Sequence, residues 1–159
     1  MKDFEVCRTY LTHVTAEHKR LDKLLRQIVA LMPNWEETTS GNWREPMLER
    51  VSQLRVELAH HFVQEEEGGC MEEAIAQNPL VGRDADRALH EHPGLLRQLD
   101  GIIAKLADER AATPEAARQI GQEFRQFAAD LHQHEQAERA VLESGFGVSF
   151  EAYLDSPTL

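Results

Sequence analysis

Long apolar runs are missing from this sequence. No stretch approaches the roughly 20 consecutive apolar residues that a helix needs to cross a bilayer. Disulfide-forming capacity is equally scarce. Cys7 and Cys70 are the two cysteines, too few for a disulfide framework and consistent with reduced thiols. Aromatic residues make up 6% of the chain, and 9 glycines and 6 prolines leave long intervals without a helix breaker. That scarcity, with abundant Ala, Leu, Glu, Gln and Arg, favours helix and disfavours sheet. Basic residues are also in deficit, 17 against 28 acidic ones, for a net charge of −11. Such a surface repels phosphate backbones and anionic headgroups, so neither nucleic acid nor membrane is an expected partner. The opening residues MKDFEVCRTYLTHV interrupt their apolar positions with charges and form no signal-peptide core, so a cytoplasmic location is expected.

What is present is punctuation for four long helices in one domain of residues 1–159. The first is expected from about Asp3 to Met32, stopping at Pro33-Asn34. After the polar loop WEETTSGN, Asn42 and Glu45 read as a capping box opening the second helix, which ends or bends at Gly68-Gly69. The segment MEEAIAQNP offers a short extra helix, and a third long helix is expected from near Arg83 to Arg110. Thr113-Pro114-Glu115 supplies an N-cap, a first-turn proline and an acidic first turn for the fourth, which should end around Ser144. The bundle thus occupies about 3–144 and leaves a tail, 145–159, whose Phe150, Tyr153 and Leu154 are expected to pack on it. Short connections predict an all-α, up-down-up-down four-helix bundle.

Each long helix carries a seam of residues spaced by threes and fours. The seams read Tyr10, Val14, His18, Leu21, Leu25, Ile28, Met32; then Met47, Val51, Leu54, Leu58, His61, Glu65. The third is Ala85, Leu89, His92, Leu96, Leu99, Ile103, Leu106, and the fourth Ile120, Phe124, Phe127, Leu131, His134, Glu138, Val141. Every seam therefore holds a histidine, and two hold a glutamate. His18 lies 14 residues before Met32, and His61 lies 16 after Glu45; His92 lies 18 before Arg110, and His134 lies 20 after Pro114. With antiparallel neighbours and a rise of about 1.5 Å per residue, each pair falls within about 3 Å of one height. Four imidazoles and two carboxylates then share one buried layer.

The two HxxxE pairs, His61 with Glu65 and His134 with Glu138, sharpen the chemistry, because positions i and i+4 share a helix face. A buried carboxylate costs several kcal/mol unless it is paired or bound to metal. No lysine or arginine stands on a seam to pair with either glutamate. A pair of divalent cations would neutralise both, with the carboxylates as bridges. Mixed nitrogen and oxygen donors in a bundle core suit iron or manganese better than calcium, and the lack of core cysteine argues against a structural thiolate zinc site. A single histidine on an apolar seam is usually a hydrogen-bonded core residue, and a single HxxxE arises often by chance; the coincidence across four helices carries the reading. His60, His90 and His132 lie off the seams and are expected to be solvated. His13 is placed at the surface or behind the ligands, and Glu66 and Glu67 on a solvated face.

The segments HKRLD from His18, HFVQEEEGG from His61, EHPGLL around His92 and HEQAE from His134 resemble the hemerythrin-like HHE cation-binding family, bacterial members in particular. The resemblance runs from residue 18 to 138. It implies a hemerythrin-like bundle with two non-haem iron ions, bridged by carboxylates and an oxo or hydroxo species. The ligands it implies are His18, His61, Glu65, His92, His134 and Glu138. Oxygen carriers of the family have a further histidine where this chain has Leu96, and an aspartate at five-residue spacing where it has Glu138 at four. These departures argue against reversible oxygen carriage. Pro93 beside His92 should kink or restart the helix and re-aim that histidine.

The expected function is therefore reaction with a small oxidant (oxygen, peroxide or nitric oxide) in redox or stress sensing or in iron handling. A repair or oxidase-type enzyme is one alternative; a zinc-binding or metal-free helical interaction module is another. No tyrosine or cysteine is placed as a redox relay, so nothing in the sequence demands turnover. A monomer or homodimer fits equally, and no protein partner is identifiable.

Overall fold

A computed structural model describes residues 2–32 and 43–149, with side chains from residue 11 onward and without that of residue 111. Five α-helices account for most of it: α1 Lys2–Leu31, α2 Arg44–Glu67, α3 Cys70–Gln77, α4 Gly82–Ala107 and α5 Pro114–Phe146. Two 3₁₀ turns, Pro79–Val81 and Glu109–Ala111, precede α4 and α5. Among the described residues there is no strand, and no helix is long and apolar enough to cross a membrane. The four long helices form the expected all-α bundle. α1 packs on α2, α2 on α4 and α4 on α5, while α3 lies across the end of α5.

Local chemistry explains most boundaries. Thr113 accepts a hydrogen bond from the Ala116 N–H at 3.2 Å, and Pro114 opens α5 as its sequence implies. That helix runs past Ser144 to Phe146. Gly145 stays helical and Gly147, at φ +64°, ends it instead. Gly145 is needed where it stands, because a Cβ there would lie 2.5 Å from the Ala74 Cβ of α3. At the other end of the chain segment, Gly69 at φ +72° turns α2 into α3.

α2 starts at Arg44 after Trp43, whose side chain makes no cap bond, and Asn42 of the expected capping box lies outside the described residues. Two boundary expectations need correction. The third long helix stops at Ala107 rather than Arg110, because Asp108 turns the chain and accepts the Arg110 N–H at 3.0 Å. α4 also continues unbroken through Pro93, which lies on the exposed face. The carbonyl it leaves without an N–H partner is therefore on the solvent side, and the helix need not restart. The side chain of Tyr10, the loop of residues 35–42 and the tail residues Phe150, Tyr153 and Leu154 lie outside the described parts of the chain.

The interior has two apolar clusters with a polar layer between them. The larger joins Leu21, Leu24 and Ile28 of α1 to Leu54 and Leu58 of α2, Leu95, Leu99 and Ile102 of α4, and Phe124, Phe127 and Leu131 of α5. Each such burial stabilises by about 1.5–3 kcal/mol, which holds the helices in register. The smaller cluster joins Leu11, α3 residues Cys70, Met71 and Ala74, and Val141 and Leu142 of α5. His18, His61, His92 and His134 fall between these clusters on their respective helices.

Candidate metal centre

The histidines and glutamates of the four seams meet in that layer. His61, Glu65, His92, His134 and Glu138 are all buried, and His18 is a quarter exposed. The ring centroids of His18 and His61 lie 4.9 Å apart, as do those of His92 and His134. Both pairings expected from residue heights are thus present. His92 is among them and is not turned away by Pro93.

The donor atoms sort into two overlapping groups. Glu65, His92, His134 and Glu138 each place one donor atom within 4.8 Å of the others, and so do His18, His61 and Glu65. Glu65 belongs to both groups and stands between them. Its Oε1 lies 2.6 Å from His61 Nε2 and 3.8 Å from His18 Nε2, and its Oε2 lies 3.1 Å from His92 Nε2. Glu138 Oε1 is 2.9 Å from His134 Nε2 and 3.3 Å from His92 Nε2. Among the described residues, the ionic partners of both carboxylates are histidines, as the absence of seam lysine and arginine implies.

Distance alone does not make these contacts hydrogen bonds. Both oxygens of Glu65 and both nitrogens of His134 are buried with no partner along a hydrogen-bond direction. The Nε2 atoms of His18 and His61 face each other at 3.1 Å. Donors that share one first-row ion at about 2.1 Å and right angles sit about 3 Å apart. The crowding and the orphaned atoms both fit lone pairs converging on cations. Structural waters or cores seldom leave so many buried polar atoms unmatched.

Electrostatics agree with the geometry. Burial pushes the Glu65 carboxyl up, but His18, His61 and His92 overcome it and hold the group far below the usual carboxylate range. Burial likewise disfavours charge on His61, yet Glu65 and Glu17 raise it to about 9. His92 is raised to about 10 against the same opposing burial, by Glu138, Glu65 and Glu66. His18 is raised too, because Glu65 and Glu135 outweigh its burial. Glu135 is pushed up by burial and by Asp22 and Glu138, against the pull of His18 and His61. Protons and metal ions would compete for the same imidazole nitrogens.

Residues behind the donors were not evident in the sequence. His61 Nδ1 donates to Glu17 Oε2 at 2.5 Å and His92 Nδ1 to Glu66 Oε1 at 2.9 Å, while His134 Nδ1 faces Glu91 at 3.8 Å. Each carboxylate comes from the preceding long helix in the chain. Glu17 and Glu66, by hydrogen bonding to Nδ1, direct Nε2 of His61 and His92 inward, the usual way to fix a metal-binding imidazole. Glu91 is too far from His134 for a hydrogen bond. Glu66 is half exposed but not merely solvated, which corrects the expectation for it. His13 is at the surface, 56% exposed, with Nε2 3.2 Å from the Glu17 carboxylate that holds His61. Phe62 stacks on His92 with centroids 3.8 Å apart and meets His134 edge-on. The only available signal was adjacency, since Glu17, Phe62, Glu66 and Glu91 each neighbour a predicted ligand. His60, His90 and His132 are exposed, as expected.

A cavity of about 250 Å³ opens between α1 and α5 and reaches this layer. Val14, Thr15, Met71 and Leu142 form its apolar wall, and His18, Glu65 and Glu138 lie at its inner end. A model of the hemerythrin HHE cation binding domain matches residues 9–144. The chain belongs to that family. No curated protein and no solved structure gives a significant match. Membership of the hemerythrin HHE family assigns cation binding to the domain, and the buried histidine–glutamate layer is where the chain has groups to do it.

Proposed function

We propose that this hemerythrin HHE domain holds two non-haem iron ions and responds through them to a small oxidant: oxygen, peroxide or nitric oxide. His18, His61 and Glu65 would hold one ion, and His92, His134, Glu138 and the shared Glu65 the other. The observation that carries the reading is Glu65, a buried carboxylate common to both donor groups with neither oxygen hydrogen-bonded. When bound, the iron pair supplies one-electron redox chemistry and open coordination positions. The chain supplies orientation through Glu17 and Glu66, and water exclusion through Phe62. The cavity between α1 and α5 supplies a route for a small molecule.

A redox or stress sensor, or an iron-handling protein, fits this better than an oxygen carrier. Leu96 packs partly buried against the apolar cluster, where a carrier would have a further ligand. Metal analysis and Mössbauer spectroscopy of the protein grown with iron test the reading. Two irons per chain, magnetically coupled when oxidised, are expected, and exposure to air should oxidise the reduced protein irreversibly. Zinc, or no metal, would replace the proposal with the interaction-module reading. A spectrum that reverses over repeated air and vacuum cycles would restore carriage.

A further inference from the structure

The two donor groups are unequal, and a side chain outside both stands beside the poorer one. Counting the shared Glu65 in each, the α4–α5 group has four donors and the α1–α2 group three. Glu135, next to His134 on α5, lines the same cavity as His18, Glu65 and Glu138. Its Oε1 is buried and has no hydrogen-bond partner. His18 of the poorer group lines that cavity with it, whereas His92 and His134 of the richer group do not. No lysine or arginine among the described residues pairs with it, although Lys19 and Arg139 line the cavity. A buried carboxylate oxygen without a partner is unfavourable unless something cationic meets it. Rotation about its side-chain torsions moves that oxygen within the cavity without moving α5.

Resting on the two-ion reading above, we infer that Glu135 is a seventh protein ligand, completing the ion held by His18, His61 and Glu65. The site would then be served by carboxylates from both sides of the cavity, with Glu135 able to leave when an exogenous ligand arrives. The other use of such a group, accepting a hydrogen bond from a molecule in the cavity, predicts no effect on metal affinity.

Anaerobic titration of metal-stripped wild type, Glu135→Gln and Asp22→Asn with cobalt(II) separates these. Wild type is expected to take up two equivalents. Glu135→Gln should bind one equivalent unchanged and the other at least about tenfold more weakly, with altered visible bands for that equivalent. Asp22→Asn, a change to another acid of the same cavity, should match wild type. Thermal unfolding of metal-free Glu135→Gln should be no easier than wild type, which excludes a purely structural effect. Equal affinities and spectra for wild type and Glu135→Gln, with two equivalents in each, would overturn the role of Glu135 alone. Fewer than two equivalents in wild type would overturn the two-ion reading beneath it.

Discussion

The two halves of the metal layer differ in how completely the protein encloses them. On the α4–α5 side His92 and His134 are 2% and 0% exposed, and Phe62 lies flat on one ring and edge-on to the other. On the α1–α2 side His18 is 25% exposed and opens onto the cavity. The enclosed half has more protein donors, and the open half has fewer with space beside them. On the two-ion reading proposed above, retention of metal would belong to the enclosed half, and exchange with an external molecule to the open one.

The sharpest way to break this comparison is to remove the carboxylates one at a time. Glu65→Ala should lose both irons, each affinity falling at least about a hundredfold, because the shared group serves both halves. Glu138→Ala should chiefly deplete the enclosed half and retain part of its iron. Iron-to-protein ratios after anaerobic reconstitution, with helicity followed by circular dichroism, check both. Identical ratios in the two variants would remove the distinction between a shared and an unshared carboxylate.

Packing should show the same inequality without metal. Phe62→Ala deletes a ring that is 2% exposed and joins the larger apolar cluster to the histidines. A loss of about 3–5 kcal/mol is expected, read from urea unfolding of the metal-stripped protein. A cost below about 1 kcal/mol would mean that the ring covers the site but does not support it.

Acidity offers a gentler probe of the stripped protein. The folded-state values of His61 and His92, about 9 and about 10, lie above the ordinary 6.5. Their protonation therefore stabilises the fold fully below pH 6.5, and that contribution disappears as pH rises through 9 to 10. Glu65 is shifted the other way, so its contribution is present above its ordinary 4.5 and is lost as pH falls toward its depressed folded value. Urea midpoints should accordingly decline from pH 6.5 to 10. A flat profile over that window would contradict the ion pairing. The smallest expected effect is that of replacing His60, His90 and His132 together by glutamine, which should leave metal stoichiometry unchanged. His132 lines the cavity, so loss of one equivalent would point to it first.

Legibility in the sequence varied with how unambiguous each seam was. For α2 and α5 every assigned seam residue is buried, from Met47 to Glu65 and from Ile120 to Val141. For α4 the interior residues are Ala88, Leu95 and Ile102 where Leu89, Leu96 and Ile103 were expected. The doublets Leu95-Leu96 and Ile102-Ile103 satisfy steps of three or four equally, so spacing cannot choose between them. Leu24-Leu25 of α1 presents the same degeneracy, with Leu24 the buried member. The six layer residues escaped it, because no neighbour offered an equivalent group on the seam. The supporting carboxylates did not emerge because each serves a histidine on a different helix. Whether Glu17 reaches His61 depends on the relative rotation of α1 and α2, which spacing along one helix does not contain.

Those cross-helix supports have a kinetic consequence. Glu17 steadies a histidine of α2, Glu66 one of α4, and Glu91 faces one of α5. Neither α2 nor α4 orients its own imidazole, so the coordination sphere proposed above would exist only while the α1–α2 and α2–α4 pairs stay docked. Escape of a bound ion would then require more than the swing of one side chain. Its residence time would follow the breathing of the bundle, and the slowest-exchanging backbone amides would mark the same openings that let metal leave.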